Sequence, residues 1–389
     1  MADKQRWAAL GLLAVAQLLG MSPWFAGTAL APALSAEWGL SPSQVGWISG
    51  TVQLGFVAGT LTAAVLNLAD LIPSRWYLAV SAVLAGGANL LLLGEWGFEL
   101  ALVSRFLTGF FLAGVYPPAM KMAATWFESG RGLAIGVVVG ALTIGKAVPY
   151  LVQSWGGARI GFVLISTSAG AGAAALLIAC CYRDGPFAFP RRSFSWGLLS
   201  GVAKVPAARL ITAGYLGHMW ELYAFWAWLP AFLGASLAQN GSHSGADPLA
   251  LAFWIIAIGA VGCVGGGWAA DRWGRARVVT WSLVLSGSCA LLSGIFYGNS
   301  RELLLVLLAV WSVAVIADSA QFSAMITEAV PPHAVGTALT LQVSLGFLLT
   351  MASIQIVPLM VGLVGWRWGF AVLALGPVAG VAAIRRLRG

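Results

Sequence analysis

The chain has 389 residues, of which 60% are hydrophobic and 9% charged, with a net charge of +8. Soluble globular chains carry about 25% charged residues, so composition excludes a water-exposed surface over most of this molecule. The basic excess raises a nucleic-acid partner, but its placement along the chain assigns it to membrane orientation instead. Nineteen tryptophans and 49 glycines agree with that class, because Trp anchors helices at the bilayer interface and Gly lets them approach closely.

A spanning helix needs about 20 mostly apolar residues, since its backbone polar groups must be satisfied within the segment. Such runs predict six spans at 8–31, 44–68, 76–95, 98–123, 132–153 and 158–182. Six more are predicted at 209–235, 249–270, 278–297, 302–326, 334–360 and 365–385. Lys4 and Arg6 before the first run, and Ala33-Leu34-Ser35-Ala36 after it, imitate a signal peptide, but the apolar stretch is too long for one. The expectation is an all-α membrane protein of twelve transmembrane helices in two six-helix halves, with both termini cytoplasmic. The halves are 1–183 and 209–389, joined by a cytoplasmic linker at 184–208 that contains Pro186, Pro190 and Pro206. With that topology fifteen Lys and Arg residues lie on the cytoplasmic side and three, Arg159, Arg301 and Arg367, on the outer side. The remaining three of the 21 basic residues lie within spans. Inverting the topology would reverse this positive-inside bias. The four cysteines fall in or beside apolar runs and read as packing residues, not a disulfide or metal framework.

Asn67-Leu-Ala-Asp70-Leu-Ile-Pro-Ser-Arg75 joins spans two and three, and Gly267-Trp-Ala-Ala-Asp271-Arg272-Trp-Gly-Arg275-Ala-Arg277 joins spans eight and nine. An Asp near a helix end can accept from exposed N–H groups and pair with arginines of the next turn, making a conformational latch of Asp70 with Arg75 and of Asp271 with Arg272 and Arg275. A solvated turn is the bland alternative for either copy alone. These loops, Arg105 with Gly109 in span four, and Gly132, Gly136, Gly140 and Gly145 in span five resemble the major facilitator superfamily over essentially the whole chain. The resemblance implies a transporter, not an enzyme, and links the Arg-x-x-x-Gly pattern to proton coupling. Gly145-Lys146 replaces the Gly-Pro pair of antiporters. The stretch from Arg105 through Tyr116-Pro117 and Trp126-Phe127 to Lys146 is most similar to the nitrate/nitrite and cyanate permease-like branch, although spans two and eight lack the arginines with which nitrate carriers grip their ion.

An ionisable group at membrane depth is costly and therefore points to function. The first half carries Arg105 and Lys146, and the second His218, Glu221 and Asp318. Helix rise puts both cations about 10 Å from the outer ends of their spans, where they would attract an anion. His218 and Glu221, three residues apart, share a face and are able to carry a proton; a packing ion pair is the other reading. Asp318 is a second protonation site or a partner for a first-half cation. Trp24, Gln53, Tyr116, Trp220, Tyr223 and Gln342 would shape the cavity around the substrate. Gly140-x-x-x-x-Gly145-Lys146-Ala147 imitates a phosphate loop but lacks its Ser or Thr and lies in a span.

The resulting expectation is a proton-coupled importer of a small organic or inorganic anion, monomeric, multi-pass in the cell inner membrane, with no cofactor or metal. An exporter of amphipathic or cationic compounds, and a non-transporting membrane sensor or assembly partner, are the alternatives.

Overall fold

A computed structural model describes residues 2–94, 97–128, 130–157, 159–187, 194–239 and 247–387, with the side chains of 2, 3, 69, 70 and 131 outside that set. The chain divides into two compact units, Met1–Ser195 and Trp196–Gly389.

The first unit runs α1 (Ala2–Gly20), α2 (Ala26–Ala29), α3 (Ala31–Trp38), α4 (Pro42–Val65), α5 (Leu68–Leu71), α6 (Ser74–Leu90), α7 (Phe98–Leu112), α8 (Tyr116–Ala124), α9 (Arg131–Gly156) and α10 (Ile160–Cys181). The second runs α11 (Trp196–Lys204), α12 (Pro206–Gln239), α13 (Pro248–Ile258), α14 (Ala260–Trp273), α15 (Arg275–Phe296), α16 (Arg301–Ala317), α17 (Ser319–Ala329), α18 (Val335–Gly369) and α19 (Leu375–Arg385). Among the described residues, nine helical segments are long and apolar enough to cross a membrane. The last of them, Pro332–Arg385, is broken at Gly365, whose φ of 72° no helix accommodates.

Local sequence explains where the helices start and stop. Ser41 opens α4 with a capping box: its hydroxyl accepts from Gln44 N at 3.3 Å, while the Gln44 side chain accepts from Ser41 N at 2.9 Å. Asp247 caps α13 by accepting from Leu249 N at 2.9 Å. The two charged loops differ in length for a visible reason. Gly274, at φ 86°, reverses the chain in a single residue between α14 and α15. The first half has no glycine there and takes a longer route through Asn67 (φ 49°), α5 and Pro73.

Several spans drawn as continuous from hydropathy are interrupted. A turn at 21–25 around Pro23 separates α1 from α2, and residues 113–115 separate α7 from α8. Asp318 stands between α16 and α17, and Gly259 between α13 and α14. A window average of hydropathy passes over such breaks, because one to five residues, even with the single charge of Asp318, leave the mean of the span apolar.

The same close contact recurs in the two units. A methyl group at Gly55 or Gly59 of α4 would overlap the carbonyls of Phe106 or Phe110 on α7, and one at Gly109 of α7 would overlap that of Val52. In the second unit, methyls at Gly262 and Gly266 of α14 would overlap the carbonyls of Val313 and Ala317 on α16. Lipid gives no hydrophobic drive for helix association, so this backbone-to-backbone packing through glycine is a principal source of cohesion. Gly109 of the Arg-x-x-x-Gly pattern serves this packing, and Gly145 does the same for α9 against Leu18 of α1. The link after α10 is tied to the end of α8: Phe187 N donates to Thr125 O at 3.0 Å and Tyr182 Oη to Met122 O at 3.0 Å.

Candidate functional site

In the first unit two buried cations reach adjacent residues of the turn after α1. Arg105, fully buried, donates from Nη1 to Pro23 O at 3.2 Å. Its Nη2 donates to Asn89 Oδ1 at 2.6 Å and Thr108 Oγ1 at 3.1 Å. Asn89 in turn donates to Thr167 Oγ1 at 3.0 Å and Ser168 Oγ at 2.9 Å on α10. The guanidinium therefore joins the broken first span, α6, α7 and α10, and Gly27 leaves the room its stem needs, since a Cβ there would lie 2.8 Å from Arg105 Cδ. Among the described residues its hydrogen-bond partners are all neutral, so its positive charge is solvated but not cancelled.

Lys146 is 2% exposed, and its Nζ lies 3.8 Å from the centroid of the Trp24 ring. Trp24 meets Phe56 of α4 edge-on at 5.1 Å. One helical turn beyond Lys146, Tyr150 stacks on Phe25 at 5.8 Å. Positions i and i+4 of α9 thus hold two consecutive aromatic residues of the turn. A desolvated cation–π contact of this kind contributes about 2 kcal/mol. Gln53 is fully buried one turn before Phe56, and neither of its amide atoms has a hydrogen-bond partner among the described residues. Gln17 of α1 shares that condition. Tyr116 is half-buried at the start of α8.

The second unit is organised around carboxylates. Glu221, fully buried on α12, accepts from Trp311 Nε1 at 2.6 Å and from Ser286 Oγ at 2.7 Å. Trp311 is itself stacked on Phe225 at 4.2 Å. One buried ionisable group thereby binds α12, α15 and α16, as Arg105 binds the first-half helices. His218 does not pair with Glu221: its Nδ1 lies 2.8 Å from Asp318 Oδ1, both residues 1% exposed. Tyr215 and Phe322 flank the imidazole, each 5.8 Å away between centroids. Trp220 turns to α19's approach, donating to Val372 O at 3.1 Å, while Tyr223 packs on Trp226 and Phe347. Gln342 is 1% exposed and, like Gln53, has both amide atoms without hydrogen-bond partners among the described residues.

Of the charged loops, Arg275 makes the contacts that hold. It donates to Gln321 Oε1 at 2.9 Å and to Glu328 Oε1 at 3.0 Å, tying the start of α15 to α17. Asp271 and Arg272 are exposed, and among the described residues no ion pair joins Asp271 to either arginine. The Arg272 guanidinium instead sits 4.0 Å above the Trp268 ring, and that of Arg75 sits 4.7 Å above Trp76. The Asp70 side chain lies outside the described residues.

Asn89, Ser286 and Trp311, the groups that hold Arg105 and Glu221, are not among the residues the sequence singles out, because no charge and no neighbouring charge in the sequence marks them. An isolated amide or hydroxyl inside an apolar run was the available signal. Among the described residues no three His, Cys, Asp or Glu side chains gather to hold a metal.

Long apolar helices packed through glycine, with a few fully buried charges set on broken spans, define a polytopic membrane protein of the transporter type. The chain belongs to the Major Facilitator Superfamily, whose family model matches residues 12–266. The 4-hydroxybenzoate transporter PcaK of Acinetobacter baylyi is 26% identical over 127 residues, 32% of this chain and 27% of that protein. The MFS-type transporter pytF of Aspergillus terreus is 26% identical over 211 residues, 50% of this chain and 66% of that one. The chain thus matches less than two thirds of the length of either. Among solved structures, a bacterial homologue of the human lysosomal transporter Spinster, inward-facing and occupied, superposes with a TM-score of 0.75 at 14% identity, covering 98% of this chain and 97% of that one. The human organic anion transporter MFSD10 superposes with a TM-score of 0.72 at 16% identity, covering 97% and 99%. Likeness at that identity establishes the fold alone.

Proposed function

We propose that the protein is a secondary active transporter that moves a small organic or inorganic anion by alternating access, coupled to protons and working in the direction of uptake. The single observation that carries this reading is Lys146, an ammonium held in a buried aromatic setting at Trp24. Arg105, whose charge is solvated by neutral groups, adds to the positive potential of the same turn. A carboxylate or inorganic anion gains from both, and the unsatisfied amide of Gln53 offers it a donor. The partial likeness to a 4-hydroxybenzoate transporter, and the resemblance of the Arg105–Lys146 stretch to the nitrate/nitrite and cyanate permease-like branch, support an anionic cargo.

Proton coupling rests on the second unit. Glu221 and the His218–Asp318 pair are buried and titratable, Glu221 held by Ser286 and Trp311 and His218 set 2.8 Å from Asp318. Co-entry of protons with an anion lowers the charge that must cross the bilayer. We further infer two six-helix halves with cytoplasmic termini, on the strength of the positive-inside distribution, and a monomer in the cell inner membrane, on the compact loops and the family resemblance. Net uptake into empty proteoliposomes, with an anion panel outside and a pH-sensitive dye inside, tests the reading. Anion entry accompanied by internal acidification supports it, and transport of cationic amphiphiles alone overturns it.

A further inference from the structure

An apolar groove runs along the second unit between α15 and α19, walled by Val284, Ser288 and Leu291 on one side and Val378 and Val381 on the other. Its floor lies where the helices come closest. A methyl at Gly287 would sit 2.8 Å from Pro377 Cβ, and one at Gly380 would sit 2.9 Å from Leu283 Cδ1. These two contacts fix an antiparallel register, in which moving toward the start of α15 means moving toward the end of α19. Extending it brings Arg385, the charged residue of the groove's lining, level with the first turns of α15.

Three exposed tryptophans gather at that level. Trp281 stands two turns before Ser288 on the same face of α15, Trp273 is 5.6 Å from it, and Trp268 is 5.7 Å from Trp273. Exposed tryptophans of a spanning protein sit at headgroup depth. The arginine therefore stands where phosphates are, and the apolar length of the groove extends from there into the hydrocarbon. Neither α15 nor α19 contains an acidic residue, so neither helix supplies Arg385 with a counter-charge.

We propose that this groove is a binding site for an anionic phospholipid, with one acyl chain laid between α15 and α19 and the phosphate gripped by Arg385. A guanidinium matches a phosphate bidentately, and a groove without a carboxylate offers nothing to the ammonium of a zwitterionic headgroup. The site is independent of the transport reading.

The test is native mass spectrometry of the full chain, delipidated in detergent and given phosphatidylglycerol and phosphatidylethanolamine of identical acyl chains in equal amounts. Wild type retains phosphatidylglycerol several-fold over phosphatidylethanolamine. Arg385→Gln reduces that ratio to near unity, and Ser288→Phe, which fills the groove from an exposed position, removes adducts of both lipids. Equal retention of the two lipids by wild type, or a preference unchanged in Arg385→Gln, overturns the proposal. The wild-type headgroup comparison decides the matter by itself if a variant fails to fold.

Discussion

The ammonium of Lys146 rests 3.8 Å above the Trp24 ring, one residue along from the Pro23 carbonyl that Arg105 holds at 3.2 Å. The two cations meet the same break in the first span but stand differently toward it. Arg105 is spent on neutral acceptors from three stretches of chain, the turn, α6 and α7, which makes it a structural cross-brace as well as a source of field. Lys146 places its ammonium over the face of the Trp24 ring, buried within the same turn.

That difference predicts separate outcomes for the two sites. Arg105→Lys places one ammonium where a guanidinium fork reached Pro23, Asn89 and Thr108. Buried groups left without partners cost about 1–3 kcal/mol each, so the variant melts several degrees lower in detergent. Asn89→Ala, which frees both Arg105 and Thr167, produces a fall of the same size. Unchanged melting in both variants contradicts the cross-brace.

In the second unit Glu221→Leu strands the Trp311 indole and leaves the Ser286 hydroxyl only the Leu283 carbonyl at 3.3 Å, and its melting temperature falls for the same reason. Glu221→Gln keeps the shape and an acceptor, so it stays close to wild type in stability. Since it cannot ionise, it loses the pH dependence of uptake. A glutamine variant with wild-type proton movement would remove Glu221 from the coupling path.

Gly265 and Gly266 give an internally controlled test of the glycine packing. Nothing lies within 4 Å of a Cβ at Gly265, whereas one at Gly266 would overlap the Ala317 carbonyl. Gly265→Ala is neutral or stabilising by about 0.5–1 kcal/mol through helix propensity. Gly266→Ala destabilises by roughly 1–3 kcal/mol, the usual range for overpacking. Melting curves of the two adjacent variants read the difference directly.

Much of the fold is legible in the sequence because hydropathy reports which segments are apolar, and the glycine-rich stretches of α4 and α14 report where backbones touch. Pro23 signals a bend in the sequence, but Gly259 does not, since it leaves the apolarity of its span unchanged, and Asp318 stands out as a charge without announcing that a helix ends there. The charged site residues stand out against their spans, which is how Arg105, Lys146 and Glu221 are found. Their partners do not: helical periodicity puts His218 and Glu221 on one face, but which neighbour each meets depends on α15, α16 and α17. Similarly, the charged loop suggests an Asp271–arginine latch, while Arg275 reaches Gln321 and Glu328, 46 and 53 residues away in sequence.

The clasp at Arg275 has a graded expectation. Glu328→Ala changes stability by less than about 1 kcal/mol, because that ion pair is solvent-exposed. Arg275→Ala also removes the bond to the buried Gln321, and its effect on melting temperature is the larger of the two. Equal effects would show that the Gln321 contact contributes nothing.

The most direct test of an anion site at Lys146 is a thermal-shift screen of the purified protein with nitrate, aliphatic and aromatic carboxylates and cationic amphiphiles, in wild type and Lys146→Met. The account predicts that at least one anion raises the wild-type melting temperature and that this shift disappears in Lys146→Met, whose unliganded form still folds. Stabilisation by cationic amphiphiles alone, of equal size in both proteins, would contradict it.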